Sequence, residues 1–303
     1  MARKSNSVTV STMMVAASLF IGGACGSLVR LALSALQPSD VTWPFMTTII
    51  NLTGAFLLGF ITAYMAALGP DIGVWRVTRL GLGTGLIGGY TTYSTFMLEV
   101  GKRIKSGEVA IAVGYLLVSI VFGLLCAMLG LAIGKALGKR RALRNGDFLE
   151  PRRGPLIGVA FMLFACVAIV SLLINPHWRG HVAAFGLLFA ASLIGGLGAF
   201  ARYSVDAWVN NRVHLPFPCG TIVVNLTACL AMGLVAGWCG THAGLATLQY
   251  LLASGFLGGY STFSTASVEG AKLVDGRKPL WAFVHTAGMM ALCLAALLLG
   301  MLI

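Results

Sequence analysis

Long apolar runs separated by short polar connectors fill almost the whole chain, and each run is close to the roughly 20 residues that a helix needs to cross a bilayer. The pattern predicts nine spans, near 11–36, 46–68, 78–100, 109–137, 155–175, 182–209, 219–239, 246–271 and 279–302. The third and the eighth are interrupted. Residues 85–99, GLIGGYTTYSTFMLE, and 255–269, GFLGGYSTFSTASVE, carry paired glycines followed by hydroxyls and aromatics, and eight of their fifteen positions are identical. Each glycine weakens a helix by about 1 kcal/mol relative to alanine. Broken backbone at membrane depth is tolerated only where protein or a water-filled cavity shields it. A polar break that occurs twice therefore points to a permeation or ion site built from two repeats.

The rest of the chain follows the same repeat. Gly23, Gly26 and Arg30 match Gly195, Gly198 and Arg202. Pro44, Thr47, Asn51, Leu52 and Thr53 match Pro218, Thr221, Asn225, Leu226 and Thr227. In the fourth pair the match fades, with Tyr115, Ser119 and Gly123 opposite His285, Met289 and Cys293. The expected organisation is a cytoplasmic tail over 1–10, a first repeat over 11–137, a basic loop with a linker span over 138–181, and a second repeat over 182–303. Four spans return the chain to its starting side, so the unmatched span 155–175 turns the second repeat upside down. The expected fold class is an all-α polytopic membrane protein, two inverted four-helix repeats joined by one extra transmembrane helix.

Composition agrees. With 58% hydrophobic residues, 10% charged residues and a mean hydropathy of +0.89, a soluble globule is excluded. The net charge of +12 sits between spans rather than on a stripe, so anionic lipid and positive-inside topology account for it and nucleic acid is not an expected partner. With the N-terminus inside, Lys and Arg divide 15 cytoplasmic to 4 external, Arg30 and Arg202 lying within spans. That places the N-terminus in the cytoplasm and the C-terminus outside, in a plasma (inner) membrane. Arg3 and Lys4 before an apolar stretch imitate a signal peptide, yet the run continues past Cys25 to Leu36 and reads as a retained helix. Seven cysteines without a CxxC spacing indicate neither a disulfide framework nor a zinc site. His177 and His181 fall in a connector after Pro176, a poor place for a metal. No HExxH, GxSxG or P-loop pattern occurs, and no enzyme is expected.

The candidate chemistry lies in the spans. Asn51 and Asn225 sit mid-span, where interhelical hydrogen bonding competes with a pore-lining amide that donates to an anion. Thr91, Thr92, Ser94 and Thr95, with Ser261, Thr262, Ser264 and Thr265, either back-bond to helix carbonyls or supply donors to an anion, while freed carbonyls can hold a small cation. Tyr93, Phe96 and Phe263 are core rings or, through their positive edges, anion contacts. Arg30 and Arg202 either snorkel or act as vestibule charges. Glu99 and Glu269 read as structural.

These motifs have a family likeness. GGACGSLVR, INLTGAFLLG and GGYTTYSTF, with IGGLGAFAR, VNLTACLAMG and GGYSTFST, resemble the Fluc-type fluoride channels of the CrcB family, over roughly 11–137 and 182–302. The chain looks like a tandem fusion of two such subunits, a monomer that mimics an antiparallel dimer. The resemblance implies passive fluoride efflux along paths lined by Asn51, Asn225, Phe96, Phe263, Tyr93, Ser94, Thr95, Ser264, Thr265, Tyr115 and Ser119. It also implies a structural sodium ion on the carbonyls of Gly88, Thr91, Gly258 and Ser261. The two signature phenylalanines of the family stand as Tyr93 and Phe96 in one repeat and as Phe263 and Ala266 in the other. Phe96 and Phe263 would then share an intact path, and Tyr93 with Ala266 an impaired one. His285 opposite Tyr115 is a second asymmetry, and Met46, where the second repeat has Gly220, is unexplained. The rival classes are a proton-coupled small-solute exporter, for which only His285 offers a deep titratable group, and a non-transporting membrane scaffold.

Overall fold

The computed structural model describes residues 11–38, 41–145, 182–242 and 244–303, and every regular element among them is a helix. The first repeat opens with α1 (Thr12–Ser34) and α2 (Phe45–Leu68). α3 is a continuous run of Gly73–Arg79, a π-helical Leu80–Ile87 and Gly88–Tyr90. After the gap at 91–93 come α4 (Ser94–Lys105) and α5 (Val109–Asn145). The second repeat returns the same order. α6 (Val182–Asn210) and α7 (Gly220–Thr241) precede α8, which joins Ala246–Gln249, a π-helical Tyr250–Leu257 and Gly258–Tyr260. α9 (Phe263–Asp275) and α10 follow, α10 joining Pro279–Phe283, a π-helical Val284–Gly288 and Met289–Gly300.

Among the described residues six helices, α1, α2, α5, α6, α7 and α10, contain a stretch long and apolar enough to cross a membrane. The pairs α3/α4 and α8/α9 are the interrupted third spans. The chain is an all-α, multi-pass membrane protein. Six unbroken and two broken spans account for eight of the expected nine, and the ninth, the linker span 155–175, lies outside the described residues with His177 and His181. The basic loop expected over 138–153 begins later than expected, because 138–145 continue α5 as helix, and its remainder lies outside the described residues. The breaks fall where the paired glycines and hydroxyls put them. The π-helical turns before them were not anticipated, nor was the one in α10, which has no counterpart in α5.

Helix starts are held by side chains that answer orphan backbone donors. Ser11 accepts from Met14 N at 3.2 Å. Before α2, Gln37 Oε1 accepts from Met46 N at 3.0 Å; before α7, Asn210 Oδ1 accepts from Gly220 N at 2.9 Å. Different residues thus do one job in both repeats.

The repeats are interlocked rather than side by side. Ala199 of α6 meets Gly23 of α1, Gly195 meets Ser27, and Leu188 and Ala191 pack with Leu28, Leu31 and Ala32. Rising numbers on α1 meet falling numbers on α6, so these matched helices run in opposite directions. α2 lies along α5, and α7 along α10. The helices that follow the breaks cross over: α9 packs on α2 and α5 of the first repeat, and α4 on α7 and α10 of the second. This exchange brings both breaks to the centre.

Candidate functional site

The two breaks meet as one hydroxyl-rich seam. Thr91 and Ser261 are extended, with ψ of 156° and 160°, so each helix stops and restarts in a new direction. Thr91 Oγ1 and Ser264 Oγ lie 2.9 Å apart, and Ser94 Oγ and Ser261 Oγ also 2.9 Å apart. The numbers again run in opposite senses across the seam. Ser261 Oγ further accepts from Tyr93 N and Ser94 N, both at 3.1 Å. Thr95 and Thr265 are tied to their own breaks, 3.0 Å from Thr92 Oγ1 and Thr262 Oγ1 respectively. Most of the predicted donors therefore satisfy one another in a buried region where an unpaired polar group is costly.

Each asparagine brackets a break. Asn51 Nδ2 donates to Thr92 O at 3.0 Å while its Oδ1 accepts from Thr92 N at 3.0 Å. Asn225 does the same to Thr262, at 3.0 and 2.9 Å. The clamp has a consequence for the carbonyls. In an unbroken α-helix Thr92 N would bond to Gly88 O, and Thr262 N to Gly258 O. Both donors are instead turned toward asparagine, which frees the carbonyls of Gly88 and Gly258 from that bond. Neutral oxygens released from a helix are ligands suited to a hard cation.

Arg30 and Arg202 reach across the molecule, each buried. Arg30 Nε donates to Gly89 O at 3.1 Å, and its Nη2 to Ser254 O of the other repeat at 2.8 Å. Arg202 Nη2 donates to Thr84 O, the matched position in the first repeat. A Cβ on Gly88 would lie 2.6 Å from Arg202 Cζ, and one on Gly258 2.6 Å from Arg30 Nη1, so both glycines make room for the opposite guanidinium. The expected vestibule charges are thus cross-repeat tethers, although Arg30 also borders a cavity.

That cavity, about 480 Å³, opens beside Arg30, Met46, Thr47, Thr95, Glu99 and Ser254. Met46 lies on its wall. Glu99 is fixed there by Thr47 Oγ1 and Tyr115 OH, which donate to its two oxygens at 2.7 and 2.8 Å. Further in, Phe96 sits edge-on to Tyr115, with ring centroids 4.8 Å apart, and edge-on to Phe263 at 5.7 Å. Tyr93 joins them, 5.8 Å from Phe96 and 6.0 Å from Phe263. The structure thus brings Phe96 and Phe263 together, with Tyr93 in the same cluster. Phe263 lies against α5: a Cβ on Gly123 would be 2.7 Å from its ring. Ser119 is buried one turn beyond Tyr115 on that helix.

The symmetry-related side carries other side chains. α10 has Met289 and Cys293 where α5 has Ser119 and Gly123, and with Ala266 they are buried in the same apolar cluster as Tyr93, Phe96, Tyr115 and Phe263. A cavity of about 20 Å³ is left between Tyr93, Phe263, Ala266 and Met289. His285, inside the extra π-turn, has its Nε2 3.3 Å from Glu269 Oε2, but neither ring nitrogen nor that oxygen has a hydrogen-bond partner.

Sequence reasoning missed Glu99, Thr47 and Gly123 as parts of the lined side. The signal for Thr47 and Glu99 was present, since both recur at matched positions. Gly123 could be found only from the ring that it admits.

A family model described as "CrcB-like protein, Camphor Resistance (CrcB)" matches residues 17–131 and again 189–301. The "Fluoride-specific ion channel FluC 1" of Cutibacterium acnes (strain DSM 16379 / KPA171202) is 41% identical over 124 residues, which are 40% of this chain and 87% of that protein. The "Fluoride-specific ion channel FluC 2" of Leifsonia xyli subsp. xyli (strain CTCB07) is 38% identical over 125 residues, 41% of this chain and 86% of that protein. The "Fluoride-specific ion channel FluC 1" of Listeria monocytogenes serotype 4b (strain F2365) is 44% identical over 115 residues, 37% of this chain and 91% of that protein. No solved structure matches.

Proposed function

The chain belongs to the CrcB family, with two copies of the family unit in one polypeptide, and from that premise we propose that it is a fluoride-selective channel conducting along one side only. The observation that carries the reading is the contrast between the flanks. On one, an open cavity reaches Thr95 and Glu99, Glu99 is bonded to Tyr115, and Tyr115 stands edge-on to Phe96, which stands edge-on to Phe263. On the other, Ala266, Met289 and Cys293 replace the ring, hydroxyl and glycine of the first, and only a cavity of about 20 Å³ lies beside Ala266 and Met289.

Fluoride is small and strongly hydrated, so a path must replace its water with donors. Ring edges carry partial positive charge and offer contacts that discriminate little against a small anion. The second N–H of Asn51, the hydroxyls of Thr95 and Ser119 and the tethered Arg30 supply the remaining polarity. Ser94, Ser264 and Thr265 act mainly through the seam. Asn225 turns toward the other side, with its amide 3.5 Å from Met289 Sδ, and Tyr93 borders both sides, beside Phe96, Phe263 and Ala266.

A sodium ion fits the seam. The carbonyls of Gly88 and Gly258 are freed by the asparagine clamps, and those of Thr91 and Ser261 belong to extended residues. These four would hold it, and the ion would supply a fixed positive charge tying the breaks together. In this reading the N-terminus lies in the cytoplasm and the C-terminus outside, as the basic residues between spans favour, with the single chain acting as its own antiparallel pair.

The test is fluoride efflux from sodium-containing proteoliposomes, read with a fluoride electrode beside chloride-loaded vesicles. Rapid fluoride release with little chloride movement is expected. Equal release of both ions, or none from folded protein, overturns the reading.

A further inference from the structure

The second flank is rich in sulfur. On α7, Asn225, Cys229 and Met232 recur at i, i+4 and i+7 and share one face; on α10, Met289 and Cys293 share a face at i, i+4. The two faces meet. Asn225 Nδ2 is 3.5 Å from Met289 Sδ, and one turn along, Cys229 and Cys293 lie in the same buried cluster. Met232 follows on the next turn in the same cluster. All four sulfur-bearing side chains are at most 1% exposed. At the matched positions the first repeat has Ala55, Leu58, Ser119 and Gly123, none with sulfur.

We propose that Cys229, Cys293 and Met289, with Met232 adjoining, form a binding site for a soft monovalent metal cation, Cu(I) or Ag(I). Three arguments select this ligand. Thiolate and thioether sulfur favour Cu(I) over hard or borderline cations, and no oxygen or nitrogen ligand is needed to complete a site of low coordination number. Charge favours a monovalent ion. Binding releases one thiol proton to water, and the remaining thiolate cancels the single positive charge, leaving a neutral centre in an apolar surrounding. A divalent ion would leave net charge there or require a second deprotonation. Finally, the residues come from two helices that already pack along each other, so the ion would join existing neighbours.

The test uses the full-length protein, reduced and anaerobic, in detergent. Cu(I) held by bicinchoninate is titrated with protein, and the loss of the coloured complex reports transfer. One Cu(I) per chain is expected, with the transfer lost in the Cys229→Ala/Cys293→Ala double variant and retained in Cys126→Ala/Cys239→Ala. Wild-type protein that withdraws no more copper than the double variant overturns the proposal. Because the double variant removes buried side chains, X-ray absorption at the copper edge of the loaded wild type gives a second readout. Sulfur neighbours alone support the site; a nitrogen or oxygen shell overturns it. Neither measurement depends on fluoride movement, so the failure of one proposal leaves the other standing.

Discussion

The two flanks of the central seam are built on one scaffold and lined with different side chains. Asn51 and Asn225 clamp their breaks with nearly the same distances, and Arg30 and Arg202 tether opposite repeats through matched carbonyls. Tyr115, Ser119 and Gly123 on one side face His285, Met289 and Cys293 on the other. The difference teaches which interactions are shared property. A clamp or tether in either repeat supports the seam that both flanks use, so losing one damages both. A lining residue serves its own flank alone, and can change once that flank is no longer needed.

The largest expected effect therefore falls on the shared scaffold. Asn51→Ala leaves Thr92 N and O buried without partners, and Asn225→Ala does the same to Thr262. An orphaned buried group costs about 1–3 kcal/mol, so each variant should lose about 2–4 kcal/mol of stability. The losses should be alike, measured as thermal unfolding in detergent. A large drop for one asparagine and none for the other would break the idea of a shared scaffold.

The rings come next, and here symmetry should fail. Phe96→Ala and Phe263→Ala are expected to slow fluoride efflux about tenfold or more, the effect of a barrier raised by about 1.4 kcal/mol. Met289→Ala and His285→Ala, on the second flank, should leave efflux within about twofold, well below that threshold. Comparable losses in both sets would mean that both flanks conduct.

How much of this was legible beforehand depended on whether the cause was local. The breaks were legible because paired glycines and clustered hydroxyls are local causes. The nearness of Phe96 to Phe263 was implied by the family resemblance, and the structure sets Tyr93 beside both. The bonding of the breaks to each other was not legible, because Thr91 and Ser264 are 173 positions apart and only the antiparallel crossing joins them. Arg30 was ambiguous for the same reason: a guanidinium near a helix end suits water or a distant carbonyl equally well. The different lining of the second flank was visible only as a weak match, since Met289 and Cys293 read as ordinary membrane residues until α7 is set beside them.

A smaller effect probes the contact between Phe263 and α5. Gly123→Ala would place a methyl 2.7 Å from the ring, a distance that forces the ring to shift. Overpacking of this kind costs about 1–3 kcal/mol and here should appear as efflux slowed about fivefold, with α-helical circular dichroism unchanged. Cys293→Ala, at the matched position, leaves efflux as it was. If Gly123→Ala conducts at the wild-type rate, Phe263 does not line the working side.

The smallest expected effect concerns the two glutamates. Glu99 receives hydrogen bonds from Thr47 and Tyr115, whereas Glu269 Oε2 has His285 Nε2 at 3.3 Å and no hydrogen bond among the described residues. Tyr115→Phe removes one donor from a carboxylate that cavity water can still reach, so the loss should be modest, about 0.5–1 kcal/mol. His285→Tyr offers Glu269 the donor that its counterpart has and should raise stability by a similar amount. The π-turn around residue 285 opposes that gain, because α5 presents Tyr115 from a regular helix. Equilibrium unfolding of the two variants separates these possibilities. Stabilisation by His285→Tyr means that the second flank keeps the first flank's geometry and differs only in side chains. Destabilisation means that the backbone of α10 has moved as well, and that restoring the lining alone would not restore a path.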